Sequence, residues 1–313
     1  MMPHGAVESA GSAGPAAGTR KAGLPRALLD SMRVRQWLKN SVIFAALVFS
    51  QTLMEPDRLL RALAAFGLFC AFSSAVYILN DILDLERDRL HPAKRLRPIA
   101  AGALPVPAAA AASAALVAVA LPLAWLVDPA FALWGAVYLM MNVAYSLWLK
   151  TVVILDVMVL ASGYVIRAVA GGLAIDVAIS AWLILCTILL SLFLGFTKRR
   201  QELAQLESLA ASTRAALRDY SVAFLDQMIS IVTSATVVAY ALYTLAPETR
   251  AKLGTPYLPL TIPFVLYGIF RYLYLVHRRD LGESPTGAFY ADRPLFVNVV
   301  LWAIASVVIL YFS

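Results

Sequence analysis

The sequence contains few charged residues for its length. Only 14% of its 313 residues are Asp, Glu, Lys or Arg, whereas 61% are hydrophobic. A soluble domain does not tolerate this composition, and apolar runs of membrane-spanning length recur along the chain. The composition therefore excludes the soluble classes and predicts an all-α protein that crosses a membrane several times.

Histidine and cysteine are also scarce. The three histidines are His4, His91 and His277, and the two cysteines, Cys70 and Cys186, lie inside apolar runs. We therefore expect no histidine general base, no disulfide and no His/Cys metal site, and we interpret His91 as a hydrogen-bonding loop residue. Ser–His–Asp, Walker and GxGxxG patterns are absent from the sequence as well.

The chain divides into a tail and one membrane domain. Residues 1–30 are rich in Gly, Ala, Ser and Pro and are predicted to be disordered, whereas residues 31–313 form the predicted transmembrane catalytic domain. Nine spans are predicted in that domain, at 41–54, 60–80, 107–127, 130–149, 152–174, 180–197, 228–246, 258–276 and 294–312.

The basic residues are distributed unevenly between the two sides of these spans. Most of the 26 Lys and Arg residues fall on one side. The positive-inside rule predicts that this side is cytoplasmic, with the N-terminus inside and the C-terminus outside a bacterial inner (cell) membrane. Membrane lipids are expected partners. Nucleic acid is not, because the basic residues are scattered over short loops.

A cluster of oxygen-bearing side chains ends the second predicted span. Asn80, Asp84 and Asp88 recur every four residues, and Asp81 lies three residues before Asp84, so one helix face carries all four. Their mutual repulsion favours a bound cation, and hard oxygen ligands suit Mg²⁺ held together with substrate phosphates. We predict that these four residues bind Mg²⁺ and that Asp84 and Asp81 are catalytic.

Basic residues flank this cluster on the same side of the membrane. Arg35 and Lys39 precede the first span, while Lys94, Arg95 and Arg97 lie in a proline-bracketed loop after the cluster. Cations beside a metal-binding face are typical of a site for a phosphorylated substrate. Arg35, Lys39, Lys94 and Arg95 are predicted to bind substrate, and Lys94 is predicted to assist catalysis.

An arginine lies well inside the fifth predicted span. Such a residue must face the interior of the bundle, and we predict that Arg167 contacts an anion there. Asp156 is three helical turns away, about 16 Å along the helix, which is too far for a direct pair. Gly171 and Gly172 on the same segment favour close helix packing or a break.

Further candidate substrate-binding residues end other spans. Lys150 follows the fourth span, and Lys198 and Arg199 end the sixth, with Glu202 on the same helix face as Lys198. Tyr77 lies one turn before Asp81, where it either binds substrate or serves as an interfacial aromatic residue.

These motifs resemble those of the UbiA superfamily of intramembrane prenyltransferases. Asn80-Asp81-x-x-Asp84-x-x-x-Asp88 is similar to the family's first Asp-rich motif. Five blocks resemble its decaprenyl-phosphate phosphoribosyltransferase branch: Arg35-Gln36-Trp37-x-Lys39-Asn40, Ala75-Val76-Tyr77-x-x-Asn80-Asp81, His91-Pro92-x-Lys94-Arg95-x-Arg97-Pro98-Ile99-Ala100-Ala101-Gly102, Arg167-Ala168-x-Ala170-Gly171-Gly172 and Lys198-Arg199-x-x-Glu202-Leu203. The resemblance implies a bundle of about nine transmembrane helices with a cytoplasmic active site.

The resemblance also implies a reaction. The branch transfers 5-phosphoribose from phosphoribosyl pyrophosphate to a polyprenyl phosphate with Mg²⁺, for cell-wall arabinan precursors. Where the wider family carries a second Asp-rich motif, this chain has Lys198, Arg199 and Arg200, which favours a donor with phosphates at both ends. The alternatives are a prenyltransferase acting on an aromatic acceptor and a lipid carrier or scaffold. A homo-oligomer is compatible with all three.

Overall fold

The computed structural model describes residues 23–209, 219–278 and 285–312, and no β-strand occurs among them. The α-helices in chain order are α1 (Leu24–Met32), α2 (Phe44–Phe49), α3 (Pro56–Leu83), α4 (Leu85–Leu90), α5 (Val106–Val127), α6 (Pro129–Leu147), α7 (Leu155–Ala174), α8 (Ala181–Leu209), α9 (Val222–Leu245), α10 (Pro247–Leu253), α11 (Ile262–Arg278), α12 (Pro285–Ala291) and α13 (Arg293–Phe312). The 3₁₀ helices are Val34–Ile43, Lys94–Leu96, Leu149–Thr151 and Leu258–Thr261.

Eight helical segments in the described part of the chain are long and apolar enough to cross a membrane. They lie in α3, α5, α6, α7, α8, α9, α11 with its preceding 3₁₀ turn, and α13. Apolar side chains favour the lipid, and a helix satisfies its own backbone hydrogen bonds where water is absent. The protein is therefore a multi-pass membrane protein, and eight of the nine predicted spans are confirmed as helices.

Two of these helices form the centre of the bundle. Over an apolar stretch of 18 residues, the buried share is 56% in α3 and 61% in α7, against 11% in the peripheral α5. We call the end of the bundle where α3 ends, at Leu83, the motif end, and the end where α3 begins, at Pro56, the far end. The residues predicted to bind substrate lie on central helices or at the motif end.

The first predicted span, 41–54, has an unusual helical form. A ten-residue 3₁₀ helix, Val34–Ile43, continues into the six-residue α2. Together they extend about 29 Å, close to the thickness of a bilayer core. Arg33 pairs with Asp81 at the motif end, whereas the Leu47 carbonyl accepts a hydrogen bond from Tyr311 at the end of α13. This segment thus runs the length of the bundle, which is compatible with nine crossings.

The predicted tail is partly structured, which corrects its boundary. Helix α1 begins at Leu24, inside the region predicted to be disordered, and Ala27 and Ser31 are buried against the bundle. Residues 1–22 of that tail lie outside the described residues, as do residues 210–218 beyond α8. Helix α1 packs Ala27, Leu28 and Met32 into an apolar cluster with the bundle. This packing explains why α1 is helical although the residues before it are rich in Gly, Ala, Ser and Pro.

Helix α3 does not continue through the whole Asp cluster. It ends at Leu83, Asp84 occupies the junction with φ −95° and ψ 9°, and α4 then carries Asp88. Because Asp84 N–H still donates to Asn80 and Asp88 N–H to Asp84, the chain bends without unwinding. The predicted single helix face is therefore two short faces meeting at Asp84.

Candidate active site

The three aspartates of the cluster are buried at the motif end. Asp81 is 3% exposed, Asp84 9% and Asp88 4%. A buried carboxylate is stable only when paired or hydrogen-bonded, so the identity of each partner decides the electrostatics of this site.

Two arginines neutralise Asp81 and Asp88. The Asp81 Oδ1 atom accepts a short hydrogen bond from Arg33 and a second, of 3.0 Å, from Arg97 Nη1. Arg97 Nη1 also donates to Asp88 Oδ2 over 2.6 Å and so bridges the two carboxylates. Both arginines lie in basic runs of the sequence, but the sequence pattern does not indicate which carboxylates they pair with.

Asn80 faces the last turn of α6, and Asp84 faces the loop after it. Lys150, only 7% exposed, donates to Asp84 Oδ1 over 2.7 Å. Ser146 donates to the Asn80 side-chain oxygen over 3.1 Å. The structure thus brings the predicted Lys150 to the predicted cluster.

This donor set fits a divalent cation only in part. Within residues 23–209, 219–278 and 285–312, no group of three His, Cys, Asp or Glu side chains is arranged to hold a metal. Arg97 occupies Asp81 and Asp88, whereas Asn80 and Asp84 present side-chain oxygens one helical turn apart, bonded to Ser146 and Lys150. Of the four cluster residues, Asn80 and Asp84 therefore have the oxygens that best suit a divalent cation.

A second charged centre lies deeper in the bundle around Arg167. Its guanidinium is 5% exposed and donates to the Asn40 side-chain oxygen (2.7 Å), the Gly163 carbonyl (2.8 Å) and the Tyr138 hydroxyl (2.9 Å). The rings of Tyr138 and Tyr164 lie 4.8 and 5.4 Å from its central carbon. None of these partners is charged. Among the residues that the structure describes, no carboxylate lies within 4 Å of the Arg167 guanidinium.

Lys39 and Tyr77 lie between the two centres. Lys39 is half-buried, no described carboxylate lies within ion-pair distance of it, and the charged groups that act on it are Arg167 and Arg33. The Arg33 guanidinium also stacks over the Tyr77 ring, 5.0 Å from its centroid. A row of cations thus leads from the Asp cluster into the bundle.

Comparison with known proteins assigns this architecture. The model of the UbiA prenyltransferase family matches residues 41–298, which is most of the chain. The chain belongs to the UbiA prenyltransferase family. It is 33% identical over 310 residues to a decaprenyl-phosphate phosphoribosyltransferase of Mycolicibacterium smegmatis, covering 96% of both chains. The Mycobacterium tuberculosis protein of that description is 35% identical, covering 90% of this chain and 93% of its own.

Solved structures of the UbiA family share the fold. A UbiA homologue from Archaeoglobus fulgidus bound to DMAPP and Mg²⁺ superimposes with a TM-score of 0.68 at 18% identity, covering 91% of this chain and 99% of that one. A digeranylgeranylglyceryl phosphate synthase superimposes with a TM-score of 0.63 at 17% identity, covering 92% and 98%. The predicted fold class is thereby confirmed.

The remaining predicted residues of this UbiA family member differ in accessibility. Arg35 and Arg95 are exposed, and Lys94 is half-buried. His91 Nδ1 accepts hydrogen bonds from the Ala93 and Lys94 backbones, which confirms its interpretation as a loop hydrogen-bonding residue.

Arg199 takes a role that the sequence does not reveal. It is 1% exposed and lies between the Asp156 and Glu202 carboxylates, with Nη2 donating to the Tyr145 hydroxyl over 2.9 Å. An arginine enclosed in this way is occupied by protein groups. Lys198, by contrast, is half-buried and lies 3.8 Å from Glu202, on the helix face expected for it.

Proposed function

We propose that this UbiA family enzyme transfers 5-phosphoribose from phosphoribosyl pyrophosphate to a polyprenyl phosphate and releases pyrophosphate. The relatives described as decaprenyl-phosphate phosphoribosyltransferases match nearly the whole chain at 33% and 35% identity, which supports this reaction. The positive-inside distribution of Lys and Arg supports a cytoplasmic motif end in a bacterial inner membrane, where the water-soluble donor is available. The product would serve cell-wall arabinan precursor synthesis.

The observation that carries the proposal is the unpaired charge of Arg167. An uncompensated cation inside a membrane protein is costly and points to an anionic ligand. Arg167 binds Asn40, which in turn donates to Ser73 of α3, two helical turns or about 12 Å before Asp81. The Arg167 centre and the Asp cluster that would hold a metal, linked through Asn40 and Ser73, suit a donor with a phosphate at one end and a diphosphate at the other. A prenyl chain has no charged group that would need the Arg167 centre.

The Asp cluster would hold the diphosphate end of the donor. Asn80 and Asp84 are the residues that would bind Mg²⁺, whose charge would offset the negative charge that develops on departing pyrophosphate. Lys150 is placed to release Asp84 and turn to a phosphate oxygen, and Lys94 in the adjacent loop would add to this neutralisation. Asp81 and Asp88 hold Arg33 and Arg97 in position and do not need to contact the metal.

The acceptor requires little activation. A polyprenyl phosphate already carries an anionic oxygen, so the reaction needs positioning of two anions and no histidine base.

For the lipid chain, an entirely apolar groove of about 420 Å³ runs between α1, α3 and α5 and reaches Met32, next to Arg33. Ala112→Phe should narrow this groove and raise the KM for the lipid, while Ala118→Phe on the exposed side of α5 should not.

The deciding experiment is a transfer assay with the purified protein. Labelled phosphoribosyl pyrophosphate and polyprenyl phosphate should give a lipid-linked phosphoribose only when Mg²⁺ is present, and chelation should abolish it. Asp84→Asn should reduce turnover at least a thousandfold, because the substitution removes a ligand charge without changing shape. Asp57→Asn is the matched control, since Asp57 is an exposed residue at the far end.

Two other outcomes would reject the proposal. Transfer of a prenyl group from its diphosphate to an aromatic acceptor, with no phosphoribose product, would establish a conventional UbiA prenyltransferase. Lipid binding without turnover, unchanged by Asp84→Asn, would establish a carrier or scaffold.

A further inference from the structure

The loop between α6 and α7 contains a strained turn. Ile154 has φ +68° and ψ −48°, and the Leu155 N–H donates to the Val153 carbonyl over 2.8 Å. These are the features of the γ-turn with positive φ, which is rare and strained even for residues without a branched side chain. The Ile154 side chain is 41% exposed, so side-chain packing does not force this conformation.

A tyrosine from a distant segment holds the turn. The Ile154 N–H donates to the Tyr220 hydroxyl over 2.6 Å, and that hydroxyl donates to Asp156 Oδ1 over 2.8 Å. Tyr220 is 5% exposed and stacks on Phe224 of α9. Burial raises the pKa of the Tyr220 hydroxyl, so it keeps the proton that it donates to Asp156 at neutral pH.

Arg199 ties both ends of the same loop to α8. Its Nη2 atom donates to Tyr145 near the end of α6, and its Nε atom lies 2.6 Å from Asp156 Oδ2 at the start of α7. Asp156 is 1% exposed, so it accepts the Tyr220 hydrogen bond on one oxygen and faces the Arg199 charge with the other, without competition from water. The loop is therefore held at its beginning, at its turn and at its end.

The loop between α6 and α7 carries Lys150, the lysine that reaches the Asp cluster. Lys150 lies four residues before the strained turn and donates to Asp84 over 2.7 Å. Strain that the surrounding structure maintains is typical of functional sites, where it fixes a group in position. We propose that Tyr220 is a positioning residue: by holding the Ile154 turn, it keeps the Lys150 amine against Asp84. This inference rests on the proposed role of Lys150 at the donor site.

Chemical labelling of lysine tests the proposal without reference to catalysis. The intact protein in detergent is treated with an amine-acetylating reagent, and modification of each lysine is followed by mass spectrometry. Tyr220→Phe removes both hydrogen bonds but keeps the ring, and should speed labelling of Lys150 about tenfold. Exposed Lys252 at the far end should label at the same rate in both proteins. The matched control is Tyr311→Phe, which removes a hydroxyl bonded to the Leu53 N–H over 2.9 Å and should leave Lys150 protected.

A second substitution separates positioning from general stability. Glycine adopts positive φ without strain, so Ile154→Gly should make the tyrosine dispensable. The double variant Ile154→Gly, Tyr220→Phe should therefore fold and return Lys150 labelling to the wild-type rate. Three results would each overturn the proposal. Lys150 labelling could be unchanged in Tyr220→Phe, the faster rate could persist in the double variant, or the double variant could fail to fold.

The transfer assay then links position to function. Tyr220→Phe should lower kcat/KM about tenfold in the wild-type background and have no further effect in Lys150→Met, because both changes act through the same amine. An equal additional loss in Lys150→Met would overturn the proposal. A wild-type protein without phosphoribosyl transfer would overturn the proposed function, and the labelling result would still decide the role of Tyr220.

Discussion

Two arginines buried in neighbouring helices have opposite environments. Arg199 of α8 is 1% exposed and lies between the carboxylates of Asp156 and Glu202. Arg167 of α7 is 5% exposed, and its partners are an amide, a carbonyl and a hydroxyl. Both guanidiniums are removed from water, but only one has its charge compensated by the protein.

The difference separates a structural arginine from one available to a ligand. A buried ion pair holds its elements in place, and breaking it leaves a charge without a partner. A buried cation with neutral partners keeps its field for an anion that is yet to bind, at a cost in stability. We therefore expect substitution of Arg199 to damage the fold and substitution of Arg167 to damage binding.

The largest expected effect concerns Arg199. Arg199→Gln leaves the buried Asp156 without a countercharge and should destabilise the protein by about 3–5 kcal/mol, measured by thermal unfolding in detergent. Adding Asp156→Asn should restore part of the loss, because both charges are then absent. An unchanged melting temperature in Arg199→Gln would show that the pair does not support the fold.

The next effect concerns Arg167. Arg167→Gln keeps hydrogen-bonding groups but removes the charge, and should lower kcat/KM for phosphoribosyl transfer about a hundredfold. Its melting temperature should equal or exceed that of the wild type, because an uncompensated charge is removed. Arg167→Lys should be intermediate, since it keeps the charge without the fork geometry. A folded Arg167→Gln enzyme with full activity would contradict the proposed anion site.

Stabilisation against unfolding by bound ligands distinguishes the Arg167 centre from the Asp cluster. At a hundredfold excess over its Kd, phosphoribosyl pyrophosphate should stabilise the wild type by about 2.7 kcal/mol. Arg167→Gln should reduce this protection but retain that of inorganic pyrophosphate, which needs only the Asp cluster. Arg200→Gln, which removes an ion pair with Asp226, is the control and should retain both. Loss of both protections in Arg167→Gln would mean that the centres are not separate.

The smallest effect is expected at the exposed arginines. Arg95→Gln should change kcat/KM by no more than about twofold, because an exposed side chain contributes little in the absence of a fixed partner. The transfer assay measures this directly. A tenfold loss would show that the proline-bracketed loop closes over the donor, as the sequence pattern predicts.

Much of the site follows from local sequence, but its pairing does not. Asp81, Asp84 and Asp88 share a region because their spacing is helical, and Arg167 is buried because its span is apolar. Arg33 meets Asp81 across 48 residues, a contact that no local pattern indicates. Tyr220 is likewise 64 residues from Asp156.

The sequence by itself determined the membrane class, the positions of eight spanning helices and the oxygen cluster at the end of α3. Hydropathy and helical spacing act within one segment, so they are visible in a linear chain. Only the tertiary structure decided that Lys150 reaches Asp84, that Arg199 is enclosed by acids and that Arg167 is not. Those pairings depend on how separate helices pack, because a buried charge is compensated by whichever side chain the neighbouring helix presents.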